Sequence, residues 1–105
     1  MTPTQFRRLA LRLPDTTEGA HMGHADFRVS GKIFATLGYP DADWAMVKLP
    51  PEVQEMYVTA EPAVFTPVKG AWGRKGSTNV RLKAATKAKV EGAVRVAWES
   101  VTRNQ

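Results

Sequence analysis

The stretch 26–49, DFRVSGKIFATLGYPDADWAMVKL, leaves few options for the fold around it. Apolar and polar residues alternate through it, broken by Ser30-Gly31-Lys32 and by Tyr39-Pro40-Asp41-Ala42-Asp43. That pattern predicts three short strands joined by two turns. Successive side chains of a strand point to opposite sides, so each strand has two faces. Phe27, Val29, Ile33, Ala35, Leu37, Ala45, Val47 and Leu49 can all be set on one side, as a core face. Asp26, Arg28, Phe34, Thr36, Trp44, Met46 and Lys48 then share the other, which mixes charge with large apolar groups. A face of that kind is where function is expected.

The first turn can be argued from the same faces. A two-residue Ser30-Gly31 loop sets Val29 opposite Lys32 and Arg28 opposite Ile33, mixing the two sides. A three-residue loop sets Val29 opposite Ile33 and Phe27 opposite Ala35. Because a one-residue slip moves every side chain to the other face, the three-residue loop is expected.

Helices flank this unit. Thr2 and Gln5 have the spacing of a capping box and Pro3 falls at the first helical position, with Phe6, Leu9, Ala10 and Leu13 as the buried stripe and Pro14 as the stop. Arg7, Arg8 and Arg12 occupy the other faces of that helix and read as solvated. Pro50-Pro51 leads into a second helix over 51–60, with Val53, Met56, Tyr57 and Ala60 as its stripe. A third covers 87–101 behind a Thr86 cap, with Val90, Ala93, Val94, Ala97, Trp98 and Val101 inward. Gly92 in mid-helix implies close packing there. Residues 63–68 are apolar but interrupted by Pro67, which allows an edge strand at most. Residues 78–82 make a further strand, Val80 and Leu82 inward and Arg81 outward. Residues 15–25 read as an irregular lead-in.

The chain of 105 residues is expected to form one domain over 1–105. No cysteine is present, and no apolar run approaches a membrane span, so a cytoplasmic protein without disulfides is expected. Charge is uneven: residues 1–68 carry 6 Lys/Arg against 8 Asp/Glu, while residues 69–105 carry 9 against 2. The basic second part suggests a polyanionic partner, nucleic acid first. Its centre is Lys69-Gly70-Ala71-Trp72-Gly73-Arg74-Lys75-Gly76, a glycine-rich basic loop that fits neither a P-loop nor a dinucleotide fingerprint. Glycines let a backbone approach a ligand, and Trp72 offers a stacking surface beside cations or folds back on the core. Lys83, Lys87 and Lys89 at the start of the last helix also suit an anion.

His21, His24 and Asp26 invite a metal or acid–base reading. Gly19 and Gly23 argue for loop there, no third strong ligand has a recognisable spacing, and no nucleophile motif accompanies them. Neither a metal, a cofactor nor a catalytic residue is expected.

Three stretches together resemble the MmcQ/YjbR family of small bacterial proteins. They are His24-Ala25-Asp26-Phe27-Arg28-Val29 running into Gly31-Lys32-Ile33-Phe34-Ala35-Thr36-Leu37, then Gly70-Ala71-Trp72-Gly73-Arg74-Lys75-Gly76 with Val80-Arg81-Leu82, and Ala97-Trp98. The resemblance implies an α+β fold of order α-β3-α-β2-α, an antiparallel sheet with helices packed on one face, like that of secretion chaperones. The family is described as a double-wing DNA-binding motif, on fold similarity. No catalytic residue set comes with it. The expectation is a non-enzymatic DNA-binding protein, with Arg28, Lys32, Lys48, Lys69, Arg74, Lys75 and Arg81 on phosphates and Trp72 or Trp44 stacking. The alternative is a protein-interaction module with no nucleic-acid role, a homodimer or a binder of another protein, through Phe34, Trp44 and Met46 on the open sheet face.

Overall fold

Four successive strands, each antiparallel to the next, form the first part of the sheet: β1 (Thr16–His21), β2 (His24–Val29), β3 (Lys32–Leu37) and β4 (Trp44–Lys48). In this computed structural model, which describes residues 1–103, α1 (Pro3–Leu11) precedes them. After them come α2 (Pro51–Ala60), β5 (Phe65–Pro67), the short helix α3 (Ala71–Arg74), β6 (Ser77–Arg81), a 3-10 turn and α4 (Lys87–Arg103). β6 pairs with β4, and β5 with β6, so the six strands lie in the order β1-β2-β3-β4-β6-β5. The fold is α+β, one antiparallel sheet with helices against it. No helix among the described residues is long and apolar enough to cross a membrane.

α1 and α4 lie on one face because their apolar stripes have one place to go. Phe6, Leu9, Ala10 and Leu13 share a core with Val90, Ala93, Val94 and Ala97 from α4 and with Phe27, Ala35, Ala45, Val47 and Val80 from the sheet. The capping box forms as its spacing requires: Thr2 Oγ1 accepts from the Gln5 amide at 3.1 Å, and Gln5 Oε1 accepts from the Thr2 amide at 2.8 Å. The close packing at Gly92 is with α2, since a Cβ there would stand 2.8 Å from the Tyr57 hydroxyl.

Several expectations are corrected. Residues 15–25 are not irregular: β1 pairs with β2 along its whole length, from Thr16 opposite Val29 to His21 opposite His24. The connecting turn, Met22-Gly23, has both residues at positive φ, as a tight hairpin of the primed type needs. Gly19 lies within the strand, where it makes room for a neighbouring side chain rather than for a loop.

The β2–β3 loop is the two-residue Ser30-Gly31, both at positive φ, with Val29 opposite Lys32 and Arg28 opposite Ile33. The conflict of faces is then resolved by a β-bulge. Between Arg28–Ile33 and Phe27–Ala35 the register shifts, and Phe34 is the extra residue. Ile33 therefore shares the outer face with Arg28, half-exposed, while Phe34 is 0% exposed in the core beside Ala35. Phe34 is not on the open face.

On α2 the buried residue is Gln54, flanked by half-buried Val53, Tyr57 and Val58, whereas Met56 is 68% exposed and Ala60 exposed. The polar residue is drawn inward by two backbone carbonyls, described next.

Candidate nucleic-acid interface

The outer face of the sheet is open, and β4 and β6 place three cross-strand pairs along it: Trp44 opposite Arg81, Met46 opposite Asn79, and Lys48 opposite Ser77. Trp44, Met46, Lys48 and Asn79 are half-exposed and Arg81 is exposed. The file from Trp44 to Lys48 is about 13 Å long at the usual rise per strand residue. Its Lys48 end also receives Lys32, exposed at the β2–β3 turn, and the segment that leads into β6.

That segment is not a loose loop. Residues 71–74 form one helical turn, and both of its buried glycines face the chain's own backbone. A Cβ at Gly73 would fall 1.6 Å from the Val68 carbonyl oxygen, and one at Gly76, whose φ is +112°, 1.7 Å from that of Leu49. Gln54 Nε2 donates to the carbonyls of Gly73 at 3.0 Å and Ser77 at 3.1 Å. Those bonds satisfy the buried amide and clamp both ends of the turn. Gly73 and Gly76 thus serve internal packing, which corrects for these two the expectation that the glycines open the backbone to a ligand; Gly70, at φ +79°, has open space around it. What the clamp presents outward is Lys69, Arg74, Lys75 and Trp72, all exposed, the indole at 65%. Trp72 does not fold back on the core.

Ion pairing divides the cations. Lys83 pairs with Asp43 at 3.4 Å, Lys89 with Glu61 at 3.2 Å and Lys87 with Glu91 at 3.8 Å, so the lysines around the start of α4 each have a carboxylate. Among the described residues, none lies within ion-pair distance of Lys48, Lys69, Arg74, Lys75 or Arg81. Arg8, on α1, and Arg12, just past its end, also have no carboxylate within ion-pair distance among the described residues, and they line a cleft of about 400 Å³ with Gln5 and Lys87.

Arg28 is committed elsewhere. Its Nε donates to Asp26 Oδ1 at 2.7 Å and its Nη2 to Oδ2 at 3.0 Å, leaving the arginine side chain 37% exposed and the carboxylate 0% exposed. Oδ2 also accepts from His21 Nδ1 at 3.1 Å, which places the imidazole proton on that nitrogen. Gly19 gives this cluster its space: a Cβ there would stand 3.0 Å from Asp26 Oδ1 and 3.2 Å from Arg28 Nε. His24, by contrast, lies edge-on to Tyr39 with ring centroids 5.6 Å apart. The two histidines therefore have different neighbours, and no group of three metal-ligating side chains occurs among the described residues.

The Arg28 guanidinium holds the Asp26 carboxyl below the ordinary carboxylate range; burial opposes this and the His21 hydrogen bond adds to it. A carboxyl lowered in the folded state stabilises the fold above its unfolded pKa, about 3.9, and that stabilisation is lost as pH falls through the folded value. Asp26→Asn is expected to cost about 1–3 kcal/mol at neutral pH. In urea titrations the gap to the parent protein narrows below pH about 4. A gap that stays constant with pH would show the charge to be immaterial.

Sequence reasoning missed Gln54, Ile33 and Asn79. Gln54 left one signal, a polar residue within an apolar helical stripe; Asn79 sits among the alternating residues of β6, polar but carrying no charge to single it out.

The YjbR family model matches residues 11–100. Among solved structures, a crystal structure of a Deinococcus radiodurans protein described with the DUF419 domain superposes with a TM-score of 0.78 at 20% identity, covering 96% of this chain and 78% of that one. At that identity the likeness is one of fold. No curated protein matches this sequence.

Proposed function

This chain belongs to the YjbR family, and from that premise we propose that it is a binding protein for nucleic acid, DNA first, with no catalytic role. One observation carries the reading: the unpaired Lys48, Lys69, Arg74, Lys75 and Arg81 gather on the β4–β6 file and the clamped turn beside it, together with two tryptophans. Unpaired cations on a firm scaffold bind phosphates without first giving up a carboxylate partner, and counterion release then supplies the affinity. Such contacts position a strand without reading its bases.

Replacing both Arg74 and Lys75 with alanine is expected to weaken DNA binding and to reduce the slope of log K against log salt. The slope falls by about 0.9 for each duplex phosphate no longer neutralised, or about 0.7 on a single strand. Fluorescence anisotropy across a salt series measures it. An unchanged slope removes the clamped turn from the site, and no binding at low salt removes the reading.

A second reading is favoured by the placement of Ile33, Trp44 and Met46 on neighbouring strands of the open face, all half-exposed. Apolar side chains on the open face of two neighbouring strands suit a homodimer. Sedimentation over a wide concentration range is expected to show a dimer on this reading, and a strict monomer ends it.

A further inference from the structure

We propose that the ligand of this surface is single-stranded, its bases stacked on Trp72 and Trp44 and its backbone held by the cations between and around them. This deepens the nucleic-acid reading and rests on it. A closed duplex finds little to use on this surface. A major groove is read by an inserted helix or two-stranded ribbon. α1 and α4 turn their stripes into the core on the other side of the sheet, and the helix near the cations, α3, is a single turn. The surface on offer is instead a sheet face with half-exposed side chains. A surface of that shape suits splayed bases better than a groove.

The indoles are the second element. Trp72 stands 65% exposed on a turn whose backbone is held by Gly73, Gly76 and Gln54. A large apolar ring kept out of the core on a fixed base loses little freedom when another ring stacks on it. Trp44 lies at the far end of the β4–β6 file, directly opposite Arg81. Along the β4–β6 pair, from Trp44 toward the turn that carries Trp72, come Asn79, an amide able to donate and accept at a base edge, and then Lys48, a point charge for phosphate. Stacking platforms alternating with cations are the physical requirements of a single-strand site, and paired bases keep their ring faces covered.

The test is anisotropy of a labelled thymidine homopolymer against a labelled duplex at one salt concentration, with the parent protein, Trp72→Ala and Trp72→Phe. The single strand is expected to bind at least about tenfold more tightly than the duplex. Trp72→Ala should weaken it by roughly tenfold and duplex binding by much less, and Trp72→Phe should restore most of the loss. Because Trp72 is exposed, these variants keep the core intact.

Equal affinity for both strand forms, or an equal loss with both on Trp72→Ala, overturns the single-strand inference and leaves the nucleic-acid reading standing. No binding of either form at low salt overturns both. Self-association abolished by Trp72→Ala would reassign the indole to a second copy of the chain.

Discussion

Phe34→Ala is expected to remove about 3–5 kcal/mol of folding stability, the range for truncating a buried phenylalanine. A domain of this size has about 5–15 kcal/mol in total, so the variant keeps little margin. The residue is 0% exposed, and its place in the core depends wholly on the bulge that separates it from Ile33. Plain alternation through Lys32–Leu37 puts Phe34 on the open face, where the same substitution would cost no more than about 0.5 kcal/mol. Ile33→Ala is the internal comparison: half-exposed, it should cost far less than Phe34→Ala. Urea denaturation of both variants decides the matter, and the reverse order of costs would mean that the strand lies in unbroken register.

Gly76→Ala is expected to be at least as damaging, at about 3 kcal/mol or more. A non-glycine residue held at positive φ costs roughly 1–3 kcal/mol by itself. At Gly76 the added carbon would also meet the Leu49 carbonyl oxygen at 1.7 Å, and that oxygen belongs to backbone that cannot swing aside. Gly31→Ala isolates the first effect, since Gly31 has φ +75° with open space around it. The difference between the two, measured by thermal or urea unfolding, reports the clash. The amide of Leu49 also donates to the Gly76 carbonyl at 3.1 Å, so the substitution displaces the joint between β4 and the clamped turn. Any ligand affinity that depends on Trp72, Arg74 and Lys75 falls with it. If Gly76→Ala were no worse than Gly31→Ala, the turn would have another way to pack.

The parts of this fold that are legible in the sequence are those where one signal dominates. α1 has a capping box, a proline at its first position and a clean stripe. α4 has seventeen residues over which its period can repeat. β4 and β6 alternate without interruption, so pattern alone places Trp44, Lys48 and Arg81 on the outer face. The bulge is not legible because Ile33-Phe34-Ala35 is apolar throughout, and three consecutive apolar residues fit either register. The glycine-rich segment reads correctly as exposed and basic, and incorrectly as open backbone. Gly73 and Gly76 meet Val68 and Leu49, and local sequence holds no record of such partners. The same holds for charge. That Lys83 and Lys89 are paired, and Arg74 and Lys75 are not, depends on Asp43 and Glu61, which the fold brings in from elsewhere in the chain.

β1 repays a different question, that of how a sheet edge avoids pairing with another chain. The sheet order leaves β1 and β5 as its two edges. β5 is three residues long and ends in Pro67, so it offers an incoming chain little to pair with. β1 is six residues long, and its outer row of backbone groups faces no strand among the described residues. What guards it is composition: Thr-Thr-Glu-Gly-Ala-His has no continuous apolar face, and Glu18 is tied to Arg7 at 3.0 Å. Aggregation through an edge needs both a free ladder and sticky side chains, and this edge provides only the first. The polarity that hid the strand from pattern reading is also what keeps one molecule from templating the next.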